Sequence, residues 1–454
     1  MQLQNVVDMQ REYFYSGATK TKDFRKANLR KLKELIKIFE DNILMALAKD
    51  LGKSNFEAYA TELTMVYDEI DMAIENLDDW MEPIHEKTPL VAMPAKSYTL
   101  YEPLGVTLII SPWNYPFLLA IDPLIGAMAA GNTMILKTSR KSKETSMLIH
   151  QMLNSNFEPR YIYVVDNTEV DHDELLSYNY DHIFYTGGAE VGKEIMAKAA
   201  NNLSKVTLEL GGKSPAIVEK DANIGLAARS IAWGNTVNAG QTCVSPDYIL
   251  VHAAVKDRFV HELANALVEF YGVDPLTSHD YPKIIDQEHL DKLVGLIEGQ
   301  EVVFGGTYNR SSLKLAPTII DGVDFDNKLM DAEIFGPIFP IITYNNLNEV
   351  LYKVKTLPKP LAFYLFTTDE RTIEKVMYNM EFGNGMVNDT LMMTSNPYLE
   401  FGGVGNSGQG GYHGYYSFQN FSNRKSIMES SATLEMKVKY PPYQDGKYKL
   451  IKNI

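Results

Sequence analysis

The chain's only cysteine, Cys243, lies in the run Gly240-Gln241-Thr242-Cys243-Val244-Ser245-Pro246, and Glu209 stands upstream in Leu208-Glu209-Leu210-Gly211-Gly212. A lone cysteine is by default a small buried hydrophobe. Neighbours that are Gly, Gln, Thr and Ser are a poor setting for that role and a good one for a thiol exposed in a cleft. A thiolate attacks carbonyl carbon, and a placed carboxylate can activate water against the acyl–sulfur bond that results. The pair points to thioester chemistry.

Glu209 sits on a strand-like run whose alternation puts Lys205, Thr207 and Glu209 on one face and Val206, Leu208 and Leu210 on the other. A solvated face and a cleft-facing general base both fit that pattern. Pro112-Trp113-Asn114-Tyr115-Pro116 holds an amide between two prolines that restrict the loop, so Asn114 reads either as a turn residue or as a donor to an oxyanion. In Phe184-Tyr185-Thr186-Gly187-Gly188-Ala189-Glu190-Val191-Gly192 a strand enters a helix through a glycine turn. Its spacing departs from Gly-x-Gly-x-x-Gly, leaving a nucleotide site and a plain turn both open. The nine histidines show no ligand spacing, and one cysteine completes no sulfur-rich zinc site, so no metal is expected. The cluster Asp171-His172-Asp173-Glu174 reads as a solvated loop.

The elements that must position these residues follow from periodicity. Apolar residues recur at helical spacing over 23–51 (Leu29, Leu32, Leu35, Ile36, Ile38, Phe39, Ile43, Leu44, Leu47). A second helical pattern covers 56–81; Pro83, Pro89 and Pro94 then break it before an extended stretch at 97–102. Short apolar runs at 106–110, 133–137, 161–165, 182–185 and 206–210 alternate with helical segments, the signature of a parallel sheet with crossover helices. A second series has strands near 214–218, 248–251, 338–343, 361–367 and 385–388, with helices near 224–238 and 255–271. Two α/β domains are expected, with the seam near Gly211-Gly212 and Glu209 beside it. Past Phe401 the chain is glycine-rich through Gly414 and then extended, which suits a loop closing a site before a final interface strand.

Composition narrows the class. A 454-residue chain that is 45% hydrophobic and 22% charged is an ordinary globular protein of two or three domains. Its net charge of −15 disfavours nucleic acid and anionic membrane as partners. One cysteine forms no intrachain disulfide, so a reducing, cytoplasmic location is expected. No signal-peptide pattern opens the chain and no apolar run is long enough to span a bilayer, so no membrane association is expected.

Together these runs resemble the aldehyde dehydrogenase superfamily, and most closely its class 3 branch. Further matching segments are Pro103-Leu104-Gly105-Val106, Ala129-Ala130-Gly131-Asn132, Glu333-Ile334-Phe335-Gly336-Pro337 and Phe401-Gly402-Gly403-Val404-Gly405-Asn406-Ser407-Gly408. The branch assignment draws on the short N-terminus, Pro246-Asp247-Tyr248, Gly411-Tyr412-His413-Gly414 and Tyr440-Pro441-Pro442-Tyr443.

The resemblance implies NAD(P)-dependent oxidation of aldehydes to carboxylic acids through a cysteine thiohemiacetal and thioester. Cys243 would be the nucleophile, Asn114 and the Cys243 backbone N–H the oxyanion donors, and Glu209 the activator of the hydrolytic water. Such a donor set is worth about 3–4 kcal/mol in comparable sites. Cofactor-binding positions would be Trp113, Lys137, Ser139, Arg140, Thr186, Gly187, Gly192, Glu333 and Phe335. After Lys137 the family commonly has Pro-Ser-Glu, whose carboxylate accepts from the adenosine ribose, but this chain reads Thr138-Ser139-Arg140. An arginine can pair with a 2′-phosphate that a carboxylate repels, so NADP is expected to serve at least as well as NAD. The other reading leaves Arg140 pointing to solvent.

Tyr115 fits either an aromatic tunnel wall or the core, and Trp233 is assigned to the core; a tunnel would suit medium-chain aliphatic or aromatic aldehydes. The implied architecture is a Rossmann-like cofactor domain (1–85 and 105–208), an α/β catalytic domain (209–400) and a small β oligomerisation element with the C-terminal tail (86–104 and 401–454). A homodimer is expected, and the Lys-rich end from Lys437 is read as solvated. Three rival readings remain: a cofactor-independent thiol esterase, an enzyme passing the thioester to coenzyme A, and a non-catalytic structural protein.

Overall fold

In the computed structural model, which describes residues 2–167, 170–443 and 445–452, the helix Lys22–Leu51 opens on Thr21, whose hydroxyl accepts from the Phe24 N–H, and closes on left-handed Gly52. Leu29, Leu32, Ile36, Ile43 and Leu47 are fully buried along one stripe, while Ile38, counted above with the apolar pattern, is 72% exposed on the opposite side. The helix packs on Thr64–Trp80 and Lys143–Asn154.

The first sheet runs in the spatial order Gly408–Gln409, Lys205–Leu210, His182–Gly187, Val106–Ile110, Thr133–Lys137, Ile162–Val164. All neighbours are parallel except Gly408–Gln409, which adds antiparallel to Lys205–Leu210. Every residue of Val106–Ile110 is buried, as a strand covered by helices on both faces requires. The chain order reverses between Val106–Ile110 and His182–Gly187. At such a switch point loops from adjacent strand ends diverge and leave a crevice. Trp113 follows the first of these strands and Gly187-Gly188 the second, so both rim it.

The second sheet has seven strands, in the order Glu301–Phe304, Thr318–Asp321, Ile338–Tyr344, Tyr248–His252, Pro215–Val218, Ala362–Phe366, Asn384–Val387, with only Glu301–Phe304 antiparallel. A third, antiparallel sheet joins Ile84–Glu86 and Ala95–Pro103 to Ser422–Ser430, which lies more than 300 residues further along the chain. The mixed α/β class and the two parallel sheets agree with the sequence pattern.

One local expectation fails. Asp171-His172-Asp173-Glu174 is not a loop: Asp171 caps the helix His172–Ser177 by accepting the Asp173 N–H, and Asp173 and Glu174 occupy its first turn. Acidic residues favour that end of a helix electrostatically, so the cluster was a helix start. Among the described residues no helix is long and apolar enough to cross a membrane.

Candidate active site

The Cys243 loop is built by an abrupt change of backbone hand. Helix Ile224–Thr236 ends, and Asn238 (φ 53°), Ala239 (φ 53°) and Gly240 (φ 73°) follow in the left-handed region. At Gly240 a side chain is excluded outright, since a Cβ there would lie 2.5 Å from the Gly336 backbone. The reversal brings Cys243 to a cavity of about 260 Å3, lined also by Glu209, Thr186, Tyr115, Trp233, Phe401 and Tyr412.

Glu209 is not on a solvated face. Strand Lys205–Leu210 is flanked on both edges, pairing Glu209 with Thr186 on one side and Gly408 on the other. The residue is 3% exposed, and among the described residues neither carboxyl oxygen has a hydrogen-bond partner. Burial, with Glu400 adding repulsion, holds this carboxyl well above the usual carboxylate range. The Cys243 thiol faces the cavity rather than open water; that desolvation, with Glu333 and Glu209 nearby, pushes it up to about 12.

Asn114 is buried on the loop after Val106–Ile110, and its Nδ2 donates to the Gln241 carbonyl at 3.1 Å. An amide carries two N–H donors, so one remains for another acceptor. Tyr115 donates to or accepts from the Thr242 hydroxyl at 2.7 Å, beside the thiol. Trp233 is part of the cavity wall, which corrects its assignment to the core; it stands near the end of helix Ile224–Thr236, where that helix meets the thiol loop.

On the far side of the crevice, the Trp113 ring packs edge-on against Phe335 (5.3 Å between centroids) and His289 (5.7 Å). Phe335 has φ 60°, and its carbonyl lies 2.7 Å from His289 Nε2. Glu333 lies against Gly211, where a Cβ would come within 2.1 Å of its carboxylate, so a side chain there would displace the Glu333 carboxylate. Burial and Asp247 push the Glu333 carboxyl up to about 8, while the Gly212 N–H hydrogen bond acts the other way.

Lys137 ends its strand, half-buried, with burial and then Arg140 pulling its ammonium below the usual lysine value. Trp113, Lys137, Ser139, Arg140 and Lys141 line a hollow of about 310 Å3. Ser139 and Arg140 continue into a groove of about 830 Å3 that also carries Lys49, Lys143 and His150. Arg140 is exposed but anchored, donating from Nε to the Asn167 carbonyl (2.7 Å) and from Nη2 to the Val170 carbonyl (3.2 Å). Thr186 has no side-chain partner among the described residues and lines the thiol cavity. A Cβ on Gly187 would lie 2.3 Å from the Tyr185 hydroxyl. One on Gly192 would meet Leu210 at 2.9 Å, so Gly192 serves close packing of helix Ala189–Ala199 on its strand.

The structure thus brings Cys243, Glu209 and Thr186 to one cavity and Lys137, Ser139 and Arg140 to another, with Trp113, Glu333 and Phe335 between them. Sequence reasoning missed His289, which packs on Trp113, and the cavity residues Met65, Leu119 and Leu391. No local signal marks them, since they converge from separate elements. Phe401 and Tyr412 did stand in quoted motifs without being assigned to the site.

Fold and cavities together define a two-site α/β enzyme, with a thiol and a carboxyl in one mostly apolar cavity and a polar groove past the ends of strands Thr133–Lys137 and Ile162–Val164 of a parallel sheet. The chain belongs to the aldehyde dehydrogenase family, whose sequence pattern matches residues 2–427. It is an NAD(P)-dependent aldehyde dehydrogenase, oxidising aldehydes to carboxylic acids through a cysteine thiohemiacetal and thioester. It is 45% identical to a 4,4′-diaponeurosporen-aldehyde dehydrogenase of Staphylococcus aureus, covering 97% of this chain and 96% of that one. It is 42% identical to a dimeric NADP-preferring aldehyde dehydrogenase of Rattus norvegicus, covering 97% and 98%. The solved substrate-bound AldH of Staphylococcus aureus superposes with a TM-score of 0.97 at 43% identity, covering 100% of this chain and 99% of that one.

Proposed function

We propose that Cys243 is the nucleophile, Asn114 and the Cys243 backbone N–H the oxyanion donors, and Glu209 the base for thioester hydrolysis. The supporting observation is that the thiol and the Glu209 carboxyl, which has no hydrogen-bond partner among the described residues, line one mostly apolar cavity. The Cys243 thiolate adds to the aldehyde carbon, and the developing oxyanion takes the Asn114 N–H that Gln241 leaves free. Loss of hydride from the thiohemiacetal leaves a thioester. Glu209 then draws a proton from water as it attacks, and the carboxylic acid departs from sulfur. A carboxyl with no hydrogen-bond partner among the described residues is left for that water, and the burial that raises its proton affinity suits a group that takes a proton, which supports hydrolysis over transfer to coenzyme A.

The second cavity fits a dinucleotide. Its lining mixes Lys49, Arg140 and Lys143 with Glu144 and Asp166; apart from that groove, a Cβ on Gly188 would meet nothing within 4 Å, so the start of helix Ala189–Ala199 is open to a phosphate. Bound NAD(P) supplies the hydride acceptor. Glu333, Phe335 and Trp113 would hold its nicotinamide end, Thr186 and Gly187 its middle, with Gly192 seating their helix close to its strand, and Lys137, Ser139 and Arg140 its adenosine end. Arg140, anchored at the groove by two carbonyls, supports use of NADP at least as well as NAD. The mostly apolar wall of the thiol cavity suits medium-chain aliphatic or aromatic aldehydes.

The three sheets support a cofactor domain (1–85 and 105–208), a catalytic domain (209–400) and an oligomerisation element (86–104 and 401–454) in outline, although strands Lys205–Leu210 and Ile84–Glu86 cross two of these bounds and Gly408–Gln409 joins the first sheet. The outer edge of Ser422–Ser430, exposed along most of its length, supports a homodimer, and the single free thiol supports a cytoplasmic location. A panel of aldehydes assayed with NAD and with NADP tests the chemistry. Cys243→Ser is expected to lower turnover by about a thousandfold or more, and kcat/KM with NADP to equal or exceed that with NAD. An unchanged rate in the variant would overturn the mechanism, and a strong NAD preference would overturn the role of Arg140.

A further inference from the structure

Behind the Cys243 loop lies a buried polar network that the chemistry above leaves unused. Asn238, fully buried, donates from Nδ2 to two carbonyls at once: Asn114 at 2.7 Å and Gln241 at 3.1 Å. Its own N–H donates to Glu57 Oε1 at 2.8 Å. The Gln241 carbonyl is also the acceptor for the Asn114 side chain. One side chain therefore ties the loop carrying the oxyanion donor to the loop carrying the thiol, and it does so beside the acceptor that orients the donor.

The network is braced from outside. Gln241 is pinned through Nε2 to the carbonyls of Asn238 (2.9 Å) and Lys283 (3.0 Å), and its Oε1 accepts the Ile285 N–H. Glu62 accepts the N–H groups of Phe117 and Leu118 on one oxygen and Lys53 Nζ (2.6 Å) on the other, which fixes the exit of the Asn114 loop. Lys53 lies 4.0 Å over the Tyr115 ring and 3.5 Å from the Asn114 carbonyl. Both charged groups of that pair are fully buried, and breaking such a pair leaves an uncompensated charge.

We infer that Asn238 and Glu57 are positioning residues for the oxidation, acting through Asn114 by fixing the separation of its amide from the Cys243 thiol. Asn238 is the pivot and Glu57 holds the pivot's backbone. Neither side chain touches the thiol cavity, so neither contacts the aldehyde. This inference rests on the reading of Asn114 as an oxyanion donor.

A double-mutant cycle separates the two. Asn238→Gly keeps the left-handed backbone, which glycine adopts freely, and removes only the Nδ2 donor. It is expected to lower kcat about tenfold with aldehyde KM and cofactor Kd near wild type, as loss of a buried hydrogen bond acting in the transition state would do, and to lower Tm by a few degrees because two buried carbonyls lose a donor. In an Asn114→Ala background the same change is expected to cost less than about twofold, because the residue it positions is already gone. Glu57→Ala should behave like Asn238→Gly, and Glu57→Gln, which keeps an acceptor oxygen, should restore most of the rate. Full additivity in the cycle would overturn the positioning role while leaving the oxyanion reading intact. An unchanged kcat in Asn238→Gly would also overturn it. An unaltered kcat in Asn114→Ala would remove the oxyanion reading and the inference with it. If Glu57→Ala fails to fold, the Asn238→Gly cycle decides alone.

Discussion

At the scale of single residues, the site combines two acids that resist ionisation. Burial holds the Glu209 carboxyl above the usual carboxylate range, so folding favours its protonated form. Its contribution to stability is then present below the unfolded value of about 4.3 and is lost as pH rises through the folded value. Glu209→Gln keeps the shape and the neutrality at every pH. It is expected to melt about 2 °C above the parent near pH 8 and level with it near pH 4, a difference that calorimetry at the two pH values reads. Equal melting at both would show that the carboxyl is not strained by burial. On residue type alone Cys243 reads as a small buried hydrophobe; its small polar neighbours turned that reading towards chemistry, and the glycine pair after Glu209 raised a cleft-facing base beside a solvated carboxylate. The accompanying alternation argument allowed a solvated Glu209 face. The Glu209 side of the strand is instead closed over by the thiol loop with Phe401 and Tyr412, which come from distant segments that a period of two cannot register.

At the scale of elements, the loops that carry the chemistry depend on close backbone approach. The turn Asn238-Ala239-Gly240 has three successive left-handed residues, and Gly240 sits against the Gly336 backbone. Gly240→Ala must push apart two backbones, one of which leads from Glu333 and Phe335. We expect at least about a tenfold fall in kcat, measured with the alkylation rate of Cys243, as a 1 Å misplacement of a nucleophile would produce. Wild-type kcat and alkylation would mean that the turn tolerates a side chain. The parallel strands were legible because fully covered strands read as continuous apolar runs, and Val106–Ile110 is the clearest. The helix His172–Ser177 was not, since its charged start was read for solvation rather than as a cap. Trp233 was misplaced for a different reason. A large aromatic in an apolar helix looks the same from sequence whether its outer face meets other side chains or an empty cavity.

At the scale of the whole molecule, the two cavities are served by different sheets, and the thiol cavity lies where they meet. Glu209 comes from the first sheet, whereas Cys243 comes from the turn leading into Tyr248–His252 of the second. The third sheet unites residues 95–103 with 422–430, a pairing with no local signature, although the extended character of both segments was visible. Its outer edge offers unpaired backbone groups to a second copy. Sedimentation equilibrium is expected to give twice the mass of the 51.2 kDa chain, with a single-chain mass contradicting the dimer. The central claim, that thiol and carboxyl act in sequence on one aldehyde, is most directly tested by intact-mass analysis of Glu209→Gln mixed with an aldehyde and NADP. The account predicts one acyl group accumulating on Cys243, because the thioester forms and its hydrolysis is blocked. An unmodified Cys243 in a variant that turns over at the parent rate would contradict it.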